Sequence, residues 1–198
     1  MHWFMDSRVN AAYEKADIVI KQMDYTSGKV DINDIMRIVS DYSNVKIQIA
    51  RVDFSKIGKE FSHFGAAMSV TDNPHANRKD ARILLNVTMS PQQMRFSMVH
   101  ELGHLITEKY NITDNKQQFH ISTHIDADFT SFDWDDTEEE ALINEQIANV
   151  FALLVLLPKQ AFTTARALLV DFSTLAEYFD VDIAAIRSRA QLIDIYGK

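Results

Sequence analysis

His100-Glu101-Leu102-Gly103-His104 sets two imidazoles four positions apart, with a carboxylate beside the first. On an α-helix, positions i and i+4 project from one face, so both rings can ligate a single metal ion. Glu101 lies about 100° further round the helix. A carboxylate there can reach a water in the metal's open position without itself becoming a ligand. Two nitrogen ligands, a base and a slot for a nucleophile are what a zinc hydrolase requires. The pattern has that meaning only on a helix, and the preceding residues supply one. Ser90-Pro91-Gln92-Gln93 offers a serine N-cap, proline at the first helical position and glutamine at the capping-box position. Met94, Met98, Val99, Leu102, Leu105 and Ile106 continue at helical spacing, and Asn111 is the expected terminator.

A catalytic zinc takes three protein ligands. A metzincin would have glycine and histidine three and six positions after the second histidine, but Thr107 and Tyr110 stand there. The other common solution is a glutamate on a following helix. Thr137 and Glu140 form a second capping box, which predicts a helix over residues 138–157. Within it Glu145 lies amid Ile143, Ile147 and Ala148, where a carboxylate is costly to bury unless it is paired or metal-bound. Glu138, Glu139 and Glu140 belong to the first turn and suit the helix dipole. His120 and His124 repeat the four-residue spacing without a neighbouring glutamate, and Ser122-Thr123 with alternating apolar residues disfavours a helix. They and Tyr110 are candidates for contact with a substrate or with a developing oxyanion. His2, His63 and His75 have no partner in sequence. Gly103 costs a helix ~1 kcal/mol relative to alanine, which predicts close approach of another backbone, that of the Glu145 helix.

The chain's 198 residues fit one domain with a small appendage, and a 46% hydrophobic share suffices for a full core. There is no cysteine, which excludes a disulfide framework, thiolate zinc sites, cysteine nucleophiles and the cysteine-ligated deformylase type of HExxH enzyme. Residues 1–5 lack the basic and long apolar regions of a signal peptide, and the longest uncharged apolar run, residues 148–158, is shorter than a membrane span. A soluble cytoplasmic protein with no membrane partner is expected. Nine of the 28 acids fall between residues 117 and 158, a stretch with no Lys or Arg, and the remainder nearly balances the 20 bases. That field repels nucleic acid and attracts cations or basic polypeptide.

Periodicity predicts amphipathic helices over residues 7–23 and 32–39, the second capped by Asp31, then a strand from Val45. Residues 61–70 and 82–87 are further strand candidates, with Asp72-Asn73-Pro74 as the turn between them. Residues 111–136 show no clean period and read as a long acidic insertion. Helices are predicted over residues 159–170, 173–179 and 182–193, the last two forming a helix-turn-helix-like tail over 171–198 after a main domain of 1–170. Residues 159–198 carry five bases and five acids, with only Arg187 and Arg189 clustered, so weak DNA binding or none is expected.

ILLNVTMSPQQMRFSMVHELGHLI (residues 83–106) and NEQIANVFALLVLLP (residues 144–158) resemble the two ordered signatures of the ImmA/IrrE family of HELGH metallopeptidases, across about residues 64–169. The resemblance implies an α+β, zincin-like fold: a small mixed sheet packed on the HExxH helix, with a helical C-terminal part. It implies zinc held by His100, His104 and Glu145, Glu101 as general base, and Asn149 orienting the site from one turn beyond Glu145. It also implies a zinc-dependent endopeptidase encoded in a phage or mobile element, with a helix-turn-helix transcriptional repressor as substrate. The alternative is a regulator that binds a repressor or DNA without cutting. The chain departs from the family in its longer spacing between His104 and Glu145 and in Leu157, where a methionine is usual before the final proline. An extended substrate is expected to add as a strand to an exposed sheet edge, at residues 64–70 or 82–87.

Overall fold

Two helices precede the sheet, α1 (Asn10–Gln22) and α2 (Ile32–Ser43). Asp31 caps α2 by accepting a hydrogen bond from the Asn33 amide at 2.8 Å, and Asn44, with φ of 51°, ends it and turns the chain into the first strand. The computed structural model describes residues 9–23, 25, 28–73, 75–107, 118–123, 139–169 and 171–197. Its four strands are β1 (Val45–Val52), β2 (Phe64–Asn73), β3 (Arg78–Asn86) and β4 (Gln118–Thr123), in the order β1-β3-β2-β4. β1 runs parallel to β3, while β2 is antiparallel to both β3 and β4. The sheet is therefore mixed, and the fold is α+β.

Alternation along the strands sets the layers. Ala66, Met68 and Val70 of β2 and Ala81, Ile83 and Leu85 of β3 are buried on one face, and α3 (Pro91–Thr107) packs against it. The capping box that opens α3 forms in both directions: the Gln93 amide donates to Ser90 Oγ at 3.1 Å, and the Ser90 amide donates to Gln93 Oε1 at 3.0 Å. Behind α3 runs α4 (Glu139–Leu156), apolar around most of its circumference and buried accordingly, with Ala148, Val150, Phe151 and Ala152 all at 0% exposure. α1 lies against α4, and α2 against α3 and β1. α5 (Lys159–Leu168), α6 (Phe172–Phe179) and α7 (Ile183–Tyr196) complete the chain.

Three expectations change. Asp72 and Asn73 belong to β2, and the hairpin turns at residues 75–77, where Asn77 has φ of 48°. The insertion is not without structure, since it contributes β4. Because β4 pairs with β2 and β1 pairs with β3, each of the two strands considered for the open edge is interior. Among the described residues the open edges belong to β1 and β4.

The end of α4 explains the fate of the two tail arginines. Pro158 offers no amide hydrogen, so the last carbonyls of α4 need other donors. Tyr25 donates its hydroxyl to the Val155 carbonyl at 2.7 Å, and Arg189 donates Nε to the Leu157 carbonyl at 2.7 Å. Arg187 is exposed, but Arg189 is 1% exposed, and burial pulls its pKa down to about 10. Arg189 thus ties α7 to α4 and offers no charge to a phosphate backbone. Among the described residues no single helix is long and apolar enough to cross a membrane.

Candidate metal centre

α3 and α4 meet at Gly103. A Cβ there would lie 3.1 Å from Ala148 Cα, 3.2 Å from the Ala148 carbonyl oxygen and 3.1 Å from Phe151 Cδ1. Backbone contact this close brings Glu145, three residues before Ala148, against the histidine face of α3. His100 Nε2 lies 3.0 Å from His104 Nε2 and 3.1 Å from Glu145 Oε2, and His104 Nε2 lies 3.2 Å from Glu145 Oε1. Donor atoms around a tetrahedral zinc, each ~2.0–2.1 Å from the metal, stand about 3.3 Å apart. The observed separations are of that order, with one oxygen of the Glu145 carboxylate facing each imidazole. The three side chains are the grouping of this kind among the described residues.

The donor set also has suitable lone pairs. Asn149, one turn beyond Glu145 on α4, places Oδ1 2.8 Å from His100 Nδ1. An amide oxygen only accepts, so His100 carries its proton on Nδ1 and presents a bare Nε2 to the triangle. His100 is 3% exposed, and His104 and Glu101 are fully buried. The Glu145 side chain is 31% exposed, which makes its side the approach from solvent. Removal of the Asn149 amide is expected to leave the donors in place but free the His100 ring to rotate and change tautomer. Asn149→Ala should therefore weaken metal binding by roughly 10–100-fold, as measured by competition with a chromogenic chelator.

Gly103 yields a second expectation. Gly103→Ala requires α4 to give by a few tenths of an ångström within one turn of Glu145, an overpacking cost of about 1–3 kcal/mol set against the ~1 kcal/mol that alanine gains in a helix. Lower melting temperature together with weaker metal binding is the expected result. A variant that melts lower but binds metal as the wild type does would separate packing from the site.

His120 lies in β4 opposite Met68, and Tyr110 and His124 fall outside the described residues. His63 is exposed with its ring against Phe64, centroids 4.2 Å apart, and it and exposed His75 stand outside the triangle. One neighbour of the site was not anticipated. A Cβ on Gly65 would come within 2.4 Å of Ser97 Oγ, so the start of β2 rests on α3 one turn before Glu101. The apolar alternation of Phe119 and Ile121 was the available signal for β4, but the acidic surroundings hid it.

Residues 44–191 match the model of the IrrE N-terminal-like domain, a peptidase family. No curated protein matches the chain. Among solved structures, a Mycobacterium tuberculosis transcriptional regulator is similar, with a TM-score of 0.53 at 15% identity, over 96% of this chain and 50% of that one. The likeness is one of fold, and this chain spans half the length of that regulator. The family model covers both helices of the His100, His104 and Glu145 triangle, and the chain belongs to the ImmA/IrrE metallopeptidase family through its IrrE N-terminal-like domain.

Proposed function

We propose that the chain is a zinc-dependent endopeptidase whose substrate is a basic, DNA-binding transcriptional repressor. The observation that carries the reading is the cluster of His100, His104 and Glu145 donors, close enough to share one metal ion, with buried Glu101 beside His100 on α3. Bound zinc would supply a Lewis acid that acidifies water and polarises the scissile carbonyl. The remaining work falls to the chain. Asn149 fixes the His100 ring, and the Gly103 contact fixes Glu145 against it. Glu101 takes a proton from the attacking water and returns it to the leaving amine.

Family membership supports a protein substrate, and the acidic stretch over residues 117–158 supports a basic one. Gly65 sets β2 against α3 one turn before Glu101, and β4, paired to β2, is an open edge of the sheet among the described residues. Backbone pairing of an extended substrate is assigned to that edge. The test is incubation of the zinc-loaded protein with helix-turn-helix repressors of the same genome, followed by mass spectrometry of the products. Discrete fragments that disappear on chelation are expected. An intact repressor under conditions where the two proteins bind would overturn the reading.

A further inference from the structure

The opposite edge of the sheet has a docking surface of its own. The carbonyls of Asn44 and Val52 accept from the amides of Lys79 and Val87 on the β3 side, at 3.2 and 3.0 Å. With a two-residue period, the backbone groups of Val45, Ile47, Ile49 and Arg51 therefore face outward. The Val45 carbonyl is satisfied by Ser40 Oγ at 2.6 Å. Those of Ile47, Ile49 and Arg51 have no strand beside them among the described residues. Such an edge is a template for a further strand.

The side chains beside this edge give it chemical character. Ile49 and Arg51 stand on the helix-covered face, opposite Ile83 and Leu85. The helices do not reach this corner: Ile83 and Leu85 are buried, yet Ile49 is 40% exposed. The gap is a cleft of about 340 Å³ whose lining includes Ile49, Leu85, Met94 and Met98 as an apolar floor, with Arg51 and Arg95 as cations. Arg51 forms no ion pair among the described residues. Arg95 donates Nη2 to the Val30 carbonyl, and its Nε is buried with no partner. The carboxylate in the wall, Asp180, is already held by Lys29 at 2.5 Å and by Gln92 at 2.9 Å. Burial lowers the pKa of Arg95, opposed by Asp180 and Asp31, but a guanidinium stays charged throughout the physiological range.

We propose that the β1 edge and this cleft dock an extended peptide segment of a protein partner, bearing an apolar residue and an acidic residue two positions apart. A strand paired with β1 directs every second side chain towards the helices. The apolar residue covers Ile49 and the floor of the cleft, and the carboxylate two positions on meets Arg51. A segment with lysine or arginine at that position meets two cations instead. The surface lies across the sheet from β4, so it is independent of the peptidase reading.

Fluorescence anisotropy at low ionic strength tests the proposal, with a labelled peptide carrying a Val-Thr-Glu core in a threonine and serine frame. Saturable binding to the wild type is expected, weakened about tenfold or more by Arg51→Glu. A peptide with lysine in place of the core glutamate should reverse this preference, favouring Arg51→Glu over the wild type. N-methylation of the core backbone should abolish binding, since it removes the edge hydrogen bonds. Amide exchange should slow at Ile47, Ile49 and Arg51 in the complex. Glu145→Ala should bind the peptide as the wild type does, which separates this surface from the metal centre. Absence of saturable binding, equal affinity for Arg51→Glu, or equal affinity of the N-methylated peptide would overturn the proposal.

Discussion

Glu101→Gln is expected to slow peptide hydrolysis by roughly 10²–10⁴-fold while leaving the metal content unchanged. Glutamine matches glutamate in shape, which matters because Glu101 is fully buried in α3 and a change of volume would disturb its neighbours. An amide cannot take a proton from water or deliver one to a leaving amine. General acid-base catalysis contributes roughly 10²–10⁴-fold, so the rate of repressor cleavage should fall by about that factor. The three donor atoms come from His100, His104 and Glu145, so elemental analysis should still find the wild-type amount of zinc. Undiminished cleavage would sink the role assigned to Glu101. Loss of zinc from this variant would show that Glu101 maintains the site rather than its chemistry.

Legibility in the sequence followed the range of the interactions. The opening of α3 was readable because the Ser90–Gln93 box lies within four residues and is satisfied locally. Gly103 was readable as a close contact because glycine in mid-helix has a cost that something must offset, and Ala148 is that neighbour. Glu145 stood out as a carboxylate in an otherwise apolar helix. β4 was not readable in the same way. Its six residues become a strand by pairing with β2, more than forty positions away, inside a stretch whose acidic composition reads as loop. The open edges were misplaced for the same reason, since strand order depends on which elements cross. Arg189 shows a further limit. Its charge reads as surface, but the unpaired carbonyls before Pro158 draw it into the core.

Glu145→Ala removes one corner of the donor triangle, and its effect should exceed the roughly 10–100-fold loss of metal affinity typical for removal of an outer hydrogen-bond partner. His100 and His104 would remain 3.0 Å apart on α3, but with two ligands a catalytic zinc lacks its third protein donor. Elemental analysis of the purified variant should therefore find far less than one zinc per chain. The thermal response gives an independent readout, because a ligand that binds only the folded state stabilises it by mass action, about 4.1 kcal/mol at a thousand times Kd. Chelation should lower the melting temperature of the wild type and leave that of Glu145→Ala unmoved. The Glu145 side chain is one-third exposed, so truncating it opens no closed cavity, and the metal-free forms of the two proteins should melt close together. Agreement between the metal-free forms, with divergence only when zinc is added, would place the whole effect in coordination. Full zinc occupancy in Glu145→Ala would assign the third ligand to another residue and leave the Gly103 contact between α3 and α4 as packing alone.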